Sequence, residues 1–274
     1  MKVHVNGALV AEEDAVIPVT DHGLTVGDGL FETMKVVDGV AFAVGRHLAR
    51  LRRTAAGLGL DVPSDDALRD AIATTIATND PGVGRVRLTI TGGSGPPGTL
   101  RGAGRSTVLV VCSARADVAP AAAVVSVPWP RNERGALSGL KTTSYAENVI
   151  ALAHAHEHGA DEAIFANTAG NLCEGTGTNV FVVIGDRLVT PPLAAGCLAG
   201  VTRELLLEVA YGLVEIDVPM DAFATADEAF LTSSTRDVQS IASIDGRALA
   251  TVAGPLTVAA RESLLALQSR TFDP

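Results

Sequence analysis

The stretch GALSGLKTTSYAENVIALAHAHEHGADEAIFANTAGNLCEGTGTNVFVV, residues 135–183, holds a single lysine, Lys141, among Gly139, Thr142, Thr143 and Ser144. Surface lysines of an acidic protein usually sit with carboxylates on helix faces, whereas this one precedes a helical pattern at about 145–158 from within a polar, small-residue run. Two readings follow: a solvated loop cation, or an amine held for covalent chemistry. Downstream, apolar runs at 162–166 and 179–184 read as strands, and between them Glu174 is flanked by Gly175, Thr176 and Gly177, small enough for backbone to approach a flat ligand. A helix alternating with short strands places this half of the chain in the α/β class.

The same alternation continues on both sides. Strands are expected at 124–129 and 228–232, with a second helix at 202–211. Toward the N-terminus, Lys2–Val5 and Phe31–Val37 are short β-branched runs punctuated by Asn-Gly at 6 and Asp-Gly at 38, so residues 1–44 read mostly as sheet with hairpins. Leu48, Leu51, Ala55 and Leu58 share one helical face in GRHLARLRRTAAGLGL, and Ser64 is placed to cap a further helix, SDDALRDAIATTIATN. GRVRLTITGG and STVLVVCSA return to strand. The Ala/Pro-rich run at about 114–123 reads as a linker, dividing the chain into domains 1–118 and 119–274.

Composition narrows the chemistry. The 274 residues are enough to bury a core without staples. Lys plus Arg number 21 against 31 Asp plus Glu, a formal net charge of -10, which repels phosphate backbones and anionic membranes, so no nucleic acid or membrane partner is expected. Mean hydropathy is +0.30, but no apolar run approaches the ~18–20 residues of a spanning helix. The opening MKVHVNGALVAEEDAV has no apolar region of a secretory signal. Cys112, Cys173 and Cys197 form no C-x-x-C pair and suit a reducing, cytoplasmic setting.

Two patterns invite over-reading. Gly93–Gly98, GSGPPG, matches G-x-G-x-x-G after a strand, yet Pro96 and Pro97 remove backbone donors that a pyrophosphate needs and no helix follows, so a tight turn is expected. His154, His156 and His158 cluster at a helix end, where cations are favoured, without further ligands at zinc spacing; no metal is expected.

A lysine used as a Schiff base with pyridoxal phosphate needs an acid at the ring nitrogen and donors for the phosphate. Glu174 is a candidate for the first. For the second, a helix opens after Gly200 with the N–H groups of Val201 and Thr202 at its positive end, Ser233 and Ser234 offer hydroxyls after a strand, and Arg50 offers a charge-assisted bond.

Taken in order, DHGLTVGDGLFETMKV (21–36), HLARL, LKTTSYAENV, EGTGTNVFVV, AGVTRELL and LTSSTRDV resemble the class IV, fold-type-IV pyridoxal phosphate enzymes: D-amino-acid and branched-chain aminotransferases, aminodeoxychorismate lyases and (R)-amine transaminases. The resemblance covers nearly the whole chain. It implies a small N-terminal α/β domain, a larger pseudo-barrel domain with pyridoxal 5′-phosphate between them, and a homodimer. It further implies Lys141 as the Schiff-base lysine and catalytic base, Glu174 on the pyridine nitrogen, and Arg50, Val201, Thr202, Ser233 and Ser234 on the phosphate.

Branched-chain enzymes place a tyrosine five residues beyond the lysine to bond the ring hydroxyl; here Tyr145 lies four beyond. Phe31 and Thr33 of FETMKV and Arg87 fall on the substrate side, Thr33 where lyases carry a threonine. Enzymes for D-amino acids carry an Arg-x-His pair to trap the substrate carboxylate, and Pro97 and Thr99 stand there instead, leaving Arg87, Arg101 or Arg105 to supply a cation. The expectation is a transaminase acting on D-amino acids and some (R)-primary amines with a 2-oxo acid as acceptor. The alternatives are aminodeoxychorismate lyase, giving 4-aminobenzoate and pyruvate, and a branched-chain L-amino-acid aminotransferase.

Overall fold

A computed structural model describes residues 1–115 and 117–274; within the expected linker, Ala116 lies outside the described residues. The chain divides into two compact units, one of Met1–Ala116 with Leu140–Tyr145 and Phe272–Pro274, the other of Asp117–Gly139 with Ala146–Thr271. Division at 118/119 would put Lys141 with the second half; backbone pairing described below ties its segment to the first.

Among the described residues, the first unit contains β1 (Lys2–Val5), β2 (Ala8–Ala11), the short helix α1 (His22–Thr25), β3 (Gly29–Val37), β4 (Val40–Ala41), α2 (Val44–Leu58), α3 (Asp65–Asn79), β5 (Arg85–Thr91) and β6 (Thr107–Ser113). Its strands form an antiparallel sheet in the order β2-β1-β6-β5-β3-β4. Asn6-Gly7 and Asp38-Gly39 all adopt positive φ, the conformation that tight two-residue hairpins demand. Period-two alternation then decides the faces: Leu30, Met34, Val86, Leu88 and Ile90 are buried with Leu48, Leu51, Leu68, Ile72 and Ile76 of α2 and α3. Phe31, Thr33 and Arg87 occupy the alternate positions, with Thr33 directly opposite Arg87. Ser64 caps α3, its hydroxyl accepting from the Ala67 amide at 3.3 Å.

Residues 140–145 lie along β3. The Phe31 amide donates to the Lys141 carbonyl (3.1 Å), Leu30 bridges Thr142, and the Thr143 amide donates to the Gly29 carbonyl (2.8 Å). The hydroxyls of Thr143 and Ser144 both donate to the Gly27 carbonyl, at 2.8 and 3.0 Å.

The second unit, among the described residues, comprises β7 (Ala121–Ser126), α4 (Ala146–Glu157), β8 (Glu162–Ala166), β9 (Leu172–Gly175), β10 (Asn179–Ile184), β11 (Arg187–Thr190), α5 (Val201–Val209), β12 (Val214–Glu215), α6 (Met220–Ala224), β13 (Ala229–Ser233), β14 (Asp237–Ile244), β15 (Arg247–Ala248) and α7 (Pro255–Gln268). The sheet runs β12-β11-β10-β13-β14-β7-β8-β9, with β15 on β14, and curls into the half-barrel of fold type IV. Phe181 and Phe230, opposite one another on β10 and β13, stack with centroids 4.7 Å apart. The expected strand at 124–129 starts and ends three residues earlier, because the small residues Ala121–Ala123 pair with β14 and Pro128 has no amide to continue a ladder.

One polar residue breaks the apolar face of β3. Glu32 is fully buried, and its Oε1 and Oε2 accept from Nε and Nη2 of Arg50 at 2.9 and 2.6 Å. His47 Nδ1 lies 2.6 Å from the same Oε2 and must be the donor, since a carboxylate only accepts. Burial pushes the Glu32 carboxyl up, but Arg50 and then His47 outweigh it and hold the group at about 2. Burial pushes the His47 imidazole down against the pull of Glu32, with the charges of Arg50 and Lys141 adding to burial.

A carboxyl depressed in the folded state stabilises it above the unfolded value of about 4.5, and that stability disappears as pH falls toward about 2. Between pH 5 and 2 the wild-type chain should therefore lose about 3 kcal/mol of unfolding free energy that Glu32→Gln, already weakened by its unpaired Arg50, does not lose. Urea unfolding followed by circular dichroism across this range checks it: a gap between the two proteins that stays constant with pH refutes the assignment.

Candidate active site

In the first unit the ring of Phe31, carried by β3, gathers the expected residues. Lys141 Nζ lies 4.4 Å from its centroid, the guanidinium carbon of Arg87 3.7 Å from it, and Tyr145 meets it edge-on with centroids 5.1 Å apart. Lys141 Nζ also lies 5.8 Å from the Tyr145 centroid. Two cations thus share one aromatic quadrupole, and the Lys141 backbone is fixed by its carbonyl on β3 and by its amide donating to Thr54 Oγ1 at 3.2 Å. Tyr145 precedes α4 rather than opening it, so the extended backbone of 140–145, not a helical turn, sets its direction. Arg50 is buried against Glu32 on the opposite face of the sheet from Phe31. Arg101 is engaged elsewhere, donating twice to Asp28 and once to the Gly59 carbonyl. Pro96, in the GSGPPG turn, accepts from His22 Nε2 at 3.0 Å.

In the second unit Glu174, on β9, is held by two groups. Its Oε2 accepts from the Leu198 amide at 2.8 Å, and its Oε1 lies 3.4 Å from Arg131 Nε. Arg131 is itself fixed, its guanidinium 4.1 Å from the Phe165 ring centre and its Nη1 donating to Glu147 and Asn148. Two residues past Leu198, Gly200 opens α5, and no side chain caps that helix end, so its first amides point outward beside Val201 and Thr202. Asn179 explains the glycine: its Nδ2 donates to the Leu198 carbonyl at 2.8 Å, and a Cβ on residue 200 would stand 1.9 Å from its Oδ1. Asn179 also pairs across the sheet with Thr232, next to Ser233. Ser233 closes β13; its hydroxyl accepts from the Arg236 amide at 3.1 Å and sits 3.4 Å from Thr235 Oγ1, while Ser234 lies in the same turn.

Other chemistries fare less well. Burial pushes the Cys173 and Cys197 thiols up, the latter to about 12, so neither is a thiolate nucleophile at neutral pH. Trp129 meets His154 edge-on and His158 Nδ1 contacts the His154 carbonyl; among the described residues no group of three metal-ligating side chains forms, and no helix is long and apolar enough to cross a membrane.

Sequence reasoning did not single out Glu32, His47 or Arg131. A charged residue in an apolar strand, as at 32, is the one visible signal; Arg131 carried none, because its partner Glu174 is 43 positions away in the chain. The parts present suit pyridoxal phosphate in kind: an amine for its aldehyde, a carboxylate for its ring nitrogen, and an uncapped helix end with a hydroxyl turn for its phosphate.

Comparison with known proteins agrees. A model of the amino-transferase class IV family matches residues 29–244. The chain is similar to the D-alanine aminotransferase of Bacillus licheniformis, 28% identical over 296 aligned positions that cover 99% of this chain and 100% of that one. It is similar also to the aminodeoxychorismate lyase of Bacillus subtilis (strain 168), 31% identical over 248 positions, covering 86% and 84%. Among solved structures, the branched-chain aminotransferase of Thermoproteus uzoniensis with norvaline superposes with a TM-score of 0.88 at 30% identity, covering 97% of this chain and 94% of that one. With Lys141, Glu174 and the start of α5 all inside the matched span, the chain belongs to the class IV aminotransferases, the pyridoxal phosphate enzymes of fold type IV.

Proposed function

We propose that this class IV aminotransferase moves an amino group from a D-amino acid to a 2-oxo acid and also accepts some (R)-primary amines. The observation that carries the reading is the pairing of Lys141 and Arg87 on the Phe31 ring: a proton-transfer amine beside one exposed cation. Pyridoxal phosphate, when bound, supplies the aldehyde for amine exchange and an electron sink. Lys141 Nζ is the amine that would hold the cofactor's aldehyde and, when free of it, would carry the proton to and from the substrate Cα. Glu174, placed by Arg131 and the Leu198 amide, would hold a proton on the ring nitrogen. The amides of Val201 and Thr202 and the hydroxyls of Ser233 and Ser234 would hold the phosphate, while Arg50, gripped by Glu32, serves to hold α2 against β3. Tyr145 and Phe31 wall the reacting amine.

Of the three candidate cations for the substrate carboxylate, Arg101 is engaged by Asp28, which favours Arg87 over it, flanked by Thr33. Pro97 and Thr99 stand in place of an Arg-x-His trap, so Arg87, with Arg105 as the remaining alternative, reads the carboxylate singly. A site with one exposed reader binds acids less tightly but does not strongly penalise an amine lacking a carboxylate. Similarity to the D-alanine enzyme along its whole length supports the D-amino acid reading. Thr33, and similarity to the lyase, favour aminodeoxychorismate lyase as the second reading. The exposed apolar side chains of Val16, Val19 and Leu24 in the first unit support a homodimer, and three buried free thiols support the cytoplasm.

Lys141→Ala should lower turnover by more than about 10³-fold with an unchanged circular dichroism spectrum; a variant at wild-type rate removes the lysine from the chemistry. Arg87→Met should raise KM for amino and oxo acids about 10–100-fold, the loss of one charge-assisted contact, while leaving (R)-1-phenylethylamine unaffected. An equal change for both substrates would assign Arg87 to packing. Half-reactions followed by cofactor absorbance with D-alanine, L-leucine, (R)-1-phenylethylamine and aminodeoxychorismate decide the substrate. D-alanine should react fastest and the (R)-amine measurably; reaction with L-leucine alone indicates a branched-chain enzyme, and 4-aminobenzoate release without transamination indicates the lyase.

A further inference from the structure

Glu162, the first residue of β8, is a fully buried carboxylate that the mechanism above does not use. Both its oxygens meet the Thr176–Thr178 loop, and one of them also reaches the turn after β13. Oε1 accepts from the Thr176 amide at 3.0 Å, from the Thr176 hydroxyl and from the Ala163 amide at 3.2 Å. Oε2 accepts from the Thr178 hydroxyl at 3.4 Å and lies 3.2 Å from Arg236 Nη2. Arg236 in turn donates its backbone amide to Ser233 Oγ at 3.1 Å and its Nη1 to Gln239 at 3.1 Å. A continuous chain of contacts therefore runs from the loop after Glu174, through Glu162 and Arg236, to the hydroxyl of Ser233. Room for the carboxylate is reserved: a Cβ on Gly175 would stand 3.3 Å from Glu162 Cγ and Cδ and 2.1 Å from Thr178 Oγ1.

We infer that Glu162 is a positioning residue whose ion pair with Arg236 holds the Ser233–Ser234 turn in shape to receive a phosphate group. A buried carboxylate is costly unless paired and hydrogen-bonded, and this one is satisfied by groups that include the guanidinium anchoring the turn after Ser233. Ser233 cannot present a fixed hydroxyl if the amide it accepts from is free to swing, and the guanidinium of the same residue, Arg236, is what Glu162 clamps. Glu174 is held instead by the Leu198 amide and Arg131, neither of which contacts Glu162 through the bonds above. Loss of Glu162 therefore acts directly on the phosphate end through Arg236 and reaches the ring end less directly, through Thr176, Asn148 and Arg131. The inference rests on the proposed role of Ser233 and Ser234 as phosphate ligands.

Equilibrium dialysis of the full-length chain against pyridoxal phosphate and against pyridoxal, which lacks the phosphate, separates the two ends. Glu162→Gln should raise the Kd for pyridoxal phosphate at least about tenfold and shift that for pyridoxal by less than about twofold. Arg236→Gln should reproduce this selective loss, the double variant should add little to either single one, and Arg236→Lys should recover part of it. If Glu162→Gln does not fold by circular dichroism, the Arg236 variants carry the same test from the partly exposed side of the pair. Equal weakening of both ligands, or a pyridoxal phosphate Kd within twofold of wild type in every folded variant, overturns the inference. A wild-type chain that binds pyridoxal as tightly as pyridoxal phosphate instead overturns the phosphate reading of the turn itself, so the two failures are distinct.

Discussion

Main-chain pairing of residues 140–145 with β3 is the constraint on which the rest of the site depends. Lys141 occupies a stretch with no helix or long strand of its own, and a lysine there would ordinarily sample many positions at a cost of roughly 2 kcal/mol to immobilise. The bonds from Phe31 and Thr143 and the bridge at Thr142 make this stretch in effect an added strand, so the lysine inherits the rigidity of a six-stranded sheet. Sheet alternation then does the rest. Because Leu30, Glu32 and Met34 point to the core, Phe31 and Thr33 must point the other way, and Arg87 joins them through its register with Thr33. A slip of one residue in β3 would exchange the aromatic wall for Glu32.

Carboxylates recur beneath the functional groups, each neutralised in its own way. Glu32 is ionised in an apolar core because Arg50 reaches it in bidentate fashion. Glu162 is satisfied mostly by hydroxyls and amides of a glycine-flanked loop, with one guanidinium. Glu174, the least buried of the three, accepts from one backbone amide and has an arginine at its side.

Much of this was legible in the sequence where the signal is local. Caps and periodicity located α2, α3 and Ser64; Asn-Gly and Asp-Gly located the hairpins; motif order singled out Lys141, Glu174 and the start of α5 as candidates. The absent readings concern partners far apart in the chain. Arg50 looks like one more cation on the polar face of an amphipathic helix, and nothing nearby announces that a strand 18 residues earlier buries a glutamate against it. Arg131 and Glu162 are invisible for the same reason. The strand β7 was displaced because alanines, weak strand formers by propensity, are recruited by pairing with β14. Helix α7 carries one local signal, Pro255 at its first turn.

The three buried thiols have an experimental use. Cys112 sits in the core of the first unit, while Cys173 and Cys197 share a core cluster of the second. Since none meets solvent and burial raises all three pKa values, a thiol reagent reaches them when the surrounding packing opens. The chain thus carries a built-in pair of clocks: the rate at which each cysteine becomes modified under native conditions times the opening of the unit that encloses it, without any label having to be engineered in.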